Sequence, residues 1–180
     1  LFNTLNAGAQ LAMMEEADKT GRFLENVAEF FRYNVRKNDE DATLQEEIHL
    51  VDNYVYILNV RFSGEILFSK EIDESLLGVR VPSMILQPLV ENSFHYGIRN
   101  IEWRGRIELS VYQKEGEICI SIWDNGAGME PERIRQVLSG RARETEPASG
   151  SNGVGVRNVI ERLKLYFHGQ AKLQIFSEGV

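Results

Sequence analysis

The chain contains 180 residues, of which 43% are hydrophobic and 26% are charged, a composition typical of a folded domain with a buried core. Its formal net charge of −7 argues against a primary nucleic-acid binder, because no basic face is evident. The single cysteine, Cys119, excludes an internal disulfide framework and fits a reducing compartment.

The apolar runs and the two ends of the sequence indicate whether this stretch carries a membrane span or an export signal. The sequence contains neither an apolar run long enough to cross a membrane nor a signal peptide, so this stretch is not expected to span a membrane or to carry its own export signal. The chain begins Leu1-Phe2-Asn3 and stops at Gly179-Val180 inside a strand-like pattern. We therefore expect a fragment of a longer protein, with any membrane segments upstream of it.

The first third of the chain is predicted to be helical. A modest apolar stripe predicts a first helix, and Lys19-Thr20-Gly21 predicts a break after it. Apolar residues recur at helical spacing over residues 23–35, before the polar run 37–41. Thr43 and Glu46 form a capping-box pattern that opens a third helix. The apolar face of that helix is predicted to carry Ile48, Val51, Val55, Leu58 and Phe62.

After Gly64 the pattern changes to a mixture of strands and helices. The predicted elements are a strand over 65–72, a helix from Pro82 to Gly97, alternating strands around 107–111 and 118–122 joined by Lys114-Glu115-Gly116, helices over 131–138 and 156–167, and a last strand over 173–176. Residues 139–152 are polar. This order predicts an α+β layer with helices on one face of a mostly antiparallel sheet.

The stretch DNGAGM, residues 124–129, raises the first functional question. Asp-Asn-Gly is a strong hairpin-turn signal, which predicts a second strand directly after it. Glu130-Pro131-Glu132 instead resembles a first helical turn and favours a ligand loop. In such a loop the Asp124 carboxylate can accept a hydrogen bond from an amine, while Gly126 and Gly128 let the backbone approach a flat ring. Alone, the motif supports both interpretations equally.

A second motif, Gly153-Val154-Gly155-Val156, lies directly before a predicted helix. Its glycines can expose backbone N–H groups at a helix N-terminus, which is a natural phosphate site. Close packing of a helix start explains the same residues at least as often. The polar residues 139–152 between the two glycine motifs could close over a nucleotide.

The third motif lies in residues 86–97. Asn92, His95 and Tyr96 are expected on one helix face, and Glu91 faces His95 one turn away. The simplest interpretation of this motif alone is an amphipathic helix that ends at Gly97. An amide oxygen on that face could help to bind Mg²⁺, which keeps several waters and takes ligands from phosphates.

Together, the three motifs resemble the GHKL nucleotide-binding superfamily, which includes gyrase, Hsp90, histidine kinases and MutL. Residues 91–97 resemble its N box, 124–128 its G1 box and 153–155 its G2 box. The resemblance implies a two-layer α/β sandwich of GHKL type that binds ATP and Mg²⁺, with Mg²⁺ on Asn92 and the adenine amino group on Asp124. It implies Glu91, Asn92 and His95 as catalytic candidates, Asn92, His95, Tyr96, Asp124, Gly126, Gly128, Met129, Gly153, Val154, Gly155 and Val156 as nucleotide-binding candidates, and 129–152 as a lid.

Within this superfamily, the sequence resembles the LytS-type sensor histidine kinases. Hydrolytic GHKL members carry a water-activating Glu four residues before the metal-binding Asn, where this chain has Pro88. Leu1–Asn6 resembles the tail of the family signature HFLFNTLN. Further matches are Phe30-Phe31-Arg32-Tyr33, Leu44-x-Glu46-Glu47, Asn53-Tyr54, Arg61-Phe62 and residues 87–92, so the resemblance covers nearly the whole chain.

The chain also departs from that family. The phosphoacceptor His would lie two positions before Leu1, and the last glycine-rich turn and strand would follow Gly179. His95-Tyr96 replaces the usual Lys-His pair of the N box, which puts a phosphate contact in doubt.

The resemblance implies a kinase core in two parts. Residues 1–62 would form a helical stem, with its connecting helix, that makes a homodimer, and residues 63–180 would form the ATP-binding catalytic domain. The γ-phosphoryl group would pass to a stem His and then to a response regulator receiver domain, in the cytoplasmic part of a membrane protein. The alternatives are a nucleotide-binding scaffold without kinase activity and, against Pro88, a hydrolytic ATPase.

Overall fold

The computed structural model describes residues 2–36, 41–62, 64–99, 101–102, 104–139 and 154–178. Its elements are α1 (Phe2–Met14), α2 (Asp18–Arg36), β1 (Asp41–Thr43), α3 (Leu44–Arg61), β2 (Ile66–Ile72), β3 (Arg80–Pro82), α4 (Leu86–Asn92), β4 (Gly105–Lys114), β5 (Glu117–Asp124), α5 (Pro131–Ser139) and α6 (Val154–Tyr166). A 3-10 turn, Glu74–Leu76, precedes β3, and a π-helical segment, Ser93–Ile98, continues α4. None of the described helices is both long enough and apolar enough to cross a membrane.

The helical hairpin α1–α2 forms as expected, but its turn lies earlier than predicted. The helices are separated by residues 15–17, where Glu16 has a φ of 58°. The predicted break at Lys19-Thr20-Gly21 is wrong, because these residues lie inside α2. A Cβ on Gly21 would lie 3.0 Å from Cγ of Met13. The glycine therefore permits close approach of the two helices and does not end one.

Helix α3 begins at the predicted capping box. The Glu46 amide donates to Thr43 Oγ1 over 3.2 Å, and the Thr43 amide donates to Glu46 Oε2 over 2.8 Å. The residues just before the helix form β1, which pairs antiparallel with β3 and was not predicted. A strand of this length carries too little periodicity for sequence patterns to detect.

The main sheet has the order β2-β4-β5, with β2 parallel to β4 and β4 antiparallel to β5. Glu115 and Gly116 both have positive φ, 53° and 84°, so the link predicted between the two strands is a tight turn. One face of β4 is fully buried through Ile107, Leu109 and Val111. Helices α3, α4 and α6 add buried side chains to the same core, which confirms an α+β fold with helices over a mixed sheet.

Two further predicted elements are wrong. The helix predicted from Pro82 begins at Leu86, because Pro82 ends β3 and a turn with Met84 at φ 62° follows. Residues 173–176 form neither helix nor strand. Their alternating exposure fits an extended chain, but a strand also needs a hydrogen-bonded neighbour, and none pairs with them in the described part of the chain. Residues 140–153, which include most of the predicted lid, lie outside the described residues.

Candidate functional site

The DNGAGM turn is anchored to the start of β4. The Asn125 side chain accepts from the Arg106 amide over 2.7 Å and donates to the Arg104 carbonyl over 3.0 Å. Asp124 Oδ1 accepts from the Gly126 amide over 3.0 Å. The chain then enters α5 at Pro131, so the hairpin alternative for this motif is wrong.

The end of the N-box helix contacts this turn closely. The Ala127 amide donates to the Gly97 carbonyl over 3.0 Å. A Cβ on Gly97 would lie 2.5 Å from Asp124 Oδ1, and a Cβ on Gly126 would overlap the Gly97 backbone. Both glycines are therefore required by the contact, which places the Asp124 carboxylate over the end of the π segment. Gly97 was not among the predicted site residues, although a glycine at the end of the N-box pattern was the available signal.

Asn92 lies at the junction of α4 and the π segment. In this segment the Arg99 amide donates to the Phe94 carbonyl over 2.9 Å, a wider turn than the α-helix predicted. The Asn92 side chain is half-buried and makes no hydrogen bond with any described residue. Tyr96 is 42% exposed. An amide oxygen with spare acceptor capacity is thus present where the sequence predicted a metal ligand.

His95 lies within electrostatic reach of Glu91 and Arg99. Burial and, next, the positive charge of Arg99 lower the pKa of His95 from its ordinary value of 6.5, and the carboxylate of Glu91 opposes that shift. The charged form of the imidazole is therefore disfavoured relative to that of a free histidine. Glu91 Oε1 accepts from Nε2 of Gln87 over 2.7 Å, so this carboxylate also bonds within α4.

The second glycine motif is described in part. Gly153 and the side chain of Val154 lie outside the described residues. A Cβ on Gly155 would lie 3.4 Å from Pro88 Cβ, so the start of α6 packs against α4. The Val156 side chain is buried at 4% exposure, so Gly155 and Val156 can offer a ligand only their backbone atoms.

The remaining predicted residues lie where the turn leads into α5. Gly128 has a φ of 80°, in the left-handed region that favours glycine. The Met129 amide donates to Oγ of Ser177 over 2.8 Å, which fastens this loop to the C-terminal segment. Among the described residues, Asp124 Oδ2 accepts no hydrogen bond. Its free lone pairs fit an exocyclic amine, as the Asn92 amide fits Mg²⁺.

One buried polar residue of this region belongs to the family match Leu44-x-Glu46-Glu47, but its burial and its role were not predicted from the sequence. Glu47 on α3 is fully buried, and it lies in the stripe formed by Leu44 and Val51. Its carboxylate accepts hydrogen bonds from the backbone where α4 begins. An acidic residue inside an apolar helical stripe was the signal that could have found it, because a charge there must be paired or hydrogen-bonded.

Comparison with known families identifies the class of protein to which this chain belongs. Residues 80–178 match the family of histidine kinase-, DNA gyrase B- and HSP90-like ATPases, and residues 1–66 match the histidine kinase family. The chain belongs to the histidine kinase-, DNA gyrase B- and HSP90-like ATPase family. Its curated relatives are named sensor histidine kinases and LytS sensor proteins, which confirms the resemblance to LytS-type kinases.

Individual relatives define how far that similarity extends. The chain is 29% identical to the sensor histidine kinase YesM of Bacillus subtilis, over 99% of this chain and 29% of that protein. It is also 29% identical to the sensor protein LytS of Oceanobacillus iheyensis, over 91% of this chain and 28% of that protein. The mycobacterial sensor histidine kinase MprB matches structurally with a TM-score of 0.46 and 22% identity, over 69% of this chain and 79% of that chain. The chain thus spans less than a third of the length of these curated relatives.

Proposed function

We propose that this chain is part of the kinase core of a two-component sensor histidine kinase, which binds Mg-ATP and transfers the γ-phosphoryl group to a stem histidine and then to a response regulator receiver domain. The observation that carries the proposal is the contact among Asp124, Gly97 and Gly126. It fixes a carboxylate with a free oxygen at the end of the helix segment that follows Asn92. Family membership supports the same reading.

The nucleotide-binding roles follow from the atoms that lack partners. The free oxygen of Asp124 would accept the adenine amino group, while Gly126 and Gly128 leave room for the ring. Asn92 would bind Mg²⁺, which would supply charge neutralisation at the phosphates. The backbone N–H groups around Gly155 lie at a helix N-terminus, where anions are stabilised.

Phosphoryl transfer would depend mainly on positioning and charge. The transition state is loose, and a neutral imidazole acceptor is already nucleophilic. Glu91 and His95 would lie at the phosphate end of the proposed site, where His95 stands in place of the usual cationic Lys. Its lowered pKa disfavours the charged form, so it would act there mainly as a hydrogen-bonding group. The residue that receives the phosphoryl group would lie upstream of Leu1.

The two-part organisation also remains a proposal, with 1–62 as stem and connecting helix and 63–180 as catalytic domain. Exposed apolar side chains on α1 and α2 support pairing with a second copy. These are Leu11, Met13, Met14, Phe31 and Val35. We place the kinase core in the cytoplasm, attached to a membrane through upstream segments.

The first experiment is calorimetric titration of this chain with Mg-ADP. Wild type is compared with Asp124→Ala and with Glu117→Ala, which removes an exposed carboxylate at the opposite end of β5. We expect saturable binding for wild type and Glu117→Ala, and none for Asp124→Ala. A folded wild-type chain that does not bind Mg-ADP, or an Asp124→Ala variant that binds like wild type, would contradict the assigned site.

A chain extended upstream then distinguishes kinase from scaffold. Incubation with Mg-ATP is expected to label it with acid-labile, base-stable phosphate, as phosphohistidine requires. Nucleotide binding without labelling would favour a scaffold, for which His95-Tyr96 in the N box is the relevant departure. Steady release of inorganic phosphate would instead favour a hydrolytic ATPase.

A further inference from the structure

Glu47 connects three separate parts of the fold at one turn. It lies on α3 with no exposed surface. Its Oε1 accepts from the Met84 amide over 2.7 Å, and its Oε2 accepts from the amides of Ile85 and Leu86 over 2.8 and 3.0 Å. A buried carboxylate is strongly destabilising unless its lone pairs are used, and here backbone donors use them.

These donors belong to the start of α4, the helix that leads to Asn92. Ile85, the residue before the helix, has no side-chain cap of its own. Glu47 therefore replaces a local cap from a distant position in the chain and adds a negative charge at the positive end of the helix. It also stabilises Met84 in the left-handed region at φ 62°, which is unfavourable for a side chain of this kind.

The same carboxylate is bonded to the helical hairpin. The Tyr33 hydroxyl on α2 donates to Glu47 Oε1 over 3.1 Å. Burial and then the negative charge of Glu47 raise the pKa of Tyr33 above its usual range, so the hydroxyl keeps its proton. One turn earlier on α2, Phe30 stacks on Tyr54 of α3 with ring centroids 5.9 Å apart. Helix α2 is thus fixed to α3 at two points one helical turn apart.

Helix α6 reaches the same turn. Nη1 of Arg162 donates to the Ser83 carbonyl over 2.6 Å, directly before the three amides that bond to Glu47. The turn 83–86 is therefore bonded to α3 through Glu47 and to the helix of the second glycine motif through Arg162. Glu47 is bonded in turn to Tyr33 of α2. From the turn 83–86, α4 runs without a break to Asn92.

We infer that Glu47 is a positioning residue for the nucleotide site, which couples the helical hairpin to Asn92 through the turn 83–86. The inference rests on the proposed function, because it takes Asn92 to bind the metal-nucleotide. A helix transmits a displacement of its first turn along its axis, since its hydrogen bonds make it a stiff element. Movement of α2 that alters the Tyr33–Glu47 bond would shift the start of α4, and with it the Asn92 amide.

The test uses Glu47→Gln and Tyr33→Phe in this chain, with Glu46→Gln as the matched control. Glu46 is adjacent but exposed, and its carboxylate accepts from Thr43 in the capping box of α3. The Gln amide would face backbone donors with a donor of its own, and Phe removes one hydroxyl. We expect Mg-ADP affinity to fall about tenfold for Glu47→Gln and about threefold for Tyr33→Phe, within the range of mutations that alter coupling between sites.

A second readout separates positioning from mere stability. The Asn92 side-chain NH₂ signals in NMR spectra are recorded without nucleotide at a temperature where each variant is folded. We expect them to shift in Glu47→Gln and in Tyr33→Phe and to stay in place in Glu46→Gln. If only the amides of residues 84–86 shift while the Asn92 signals and the Mg-ADP affinity stay as in wild type, the inference is overturned.

The outcomes also separate this inference from the proposed function. A wild-type chain that does not bind Mg-ADP, but whose Asn92 signals respond to Tyr33→Phe, would refute the nucleotide site and retain the coupling. Should Glu47→Gln fail to fold, Tyr33→Phe decides alone, because it leaves the charge and the backbone hydrogen bonds of Glu47 in place.

Discussion

Two turns of this molecule are each built on an acidic side chain, and they differ in how many of its lone pairs are used. At the turn 83–86, Glu47 is fully buried and both of its oxygens accept hydrogen bonds from the protein. At the turn 124–129, Asp124 is half-buried and only Oδ1 accepts one, from Gly126. A carboxylate with all acceptors occupied stabilises structure, whereas one with a free oxygen can bind a ligand. Both side chains are carboxylates, and their different roles follow from their burial and from the number of hydrogen-bond donors around them.

The largest expected effect tests the occupied carboxylate. Glu47→Ala would leave the buried amides of Ile85 and Leu86, the half-buried amide of Met84 and the Tyr33 hydroxyl without their acceptor. We expect the free energy of unfolding, measured by urea denaturation, to fall by about 3–4 kcal/mol, because each unsatisfied buried donor is destabilising. Glu46→Ala removes an exposed capping-box partner and should lower the free energy of unfolding by about 1 kcal/mol. Equal losses of unfolding free energy in Glu47→Ala and Glu46→Ala would contradict the stabilising role assigned to the buried carboxylate.

A smaller effect is expected at the ligand-facing turn. Gly126→Ala would bring a Cβ into the Gly97 backbone, which must shift to make room. We expect a loss of about 1–3 kcal/mol in the free energy of unfolding, typical of overpacking. Mg-ADP affinity should fall by about tenfold, equivalent to about 1.4 kcal/mol. The control is Gly78→Ala, where a Cβ meets nothing within 4 Å; its stability should stay within about 0.5 kcal/mol of wild type. A Gly126→Ala variant as stable as Gly78→Ala would contradict the close contact.

The smallest expected effect concerns the pH dependence of the same region. The pKa of His95 is lowered by burial and by Arg99 from its ordinary 6.5, so below that pH the unfolded chain binds more protons than the folded one. Stability should therefore rise with pH up to about 6.5 and then level off, as far as this group is concerned. His95→Gln should reduce the fall in unfolding free energy between about pH 7 and about pH 5.

The matched control for that measurement is His168→Gln, which removes an exposed histidine outside the N box. A variant lacking His95 whose stability falls with acid as steeply as that of wild type would contradict the shift. The effect is small because the His95 side chain is only partly buried, so that water screens much of its charge.

Local signals predicted local structure well. The Thr43–Glu46 capping box and the Glu115-Gly116 turn depend on neighbours within a few residues, and both form as expected. The DNGAGM motif also left the correct alternative open, because a helix start follows it directly. Sequence patterns could not predict contacts between residues that are distant along the chain. Gly21 looked like a helix break, yet its reason is the approach of Met13 from the other helix of the hairpin.

The amino-acid sequence by itself determined the α+β class, the order of most helices and strands, and the family, since periodicity, capping and short motifs are properties of adjacent residues. The tertiary structure alone decided that α4 starts at Leu86, that Gly97 and Gly126 touch, and that Glu47 is saturated while Asp124 is not. Glu47 is 37 residues from Met84 along the chain, and Asp124 meets Gly97 from another element. The role of each carboxylate depends on the hydrogen-bond donors that folding brings to it. Those donors come from distant parts of the chain, so the residues next to the carboxylate do not predict them.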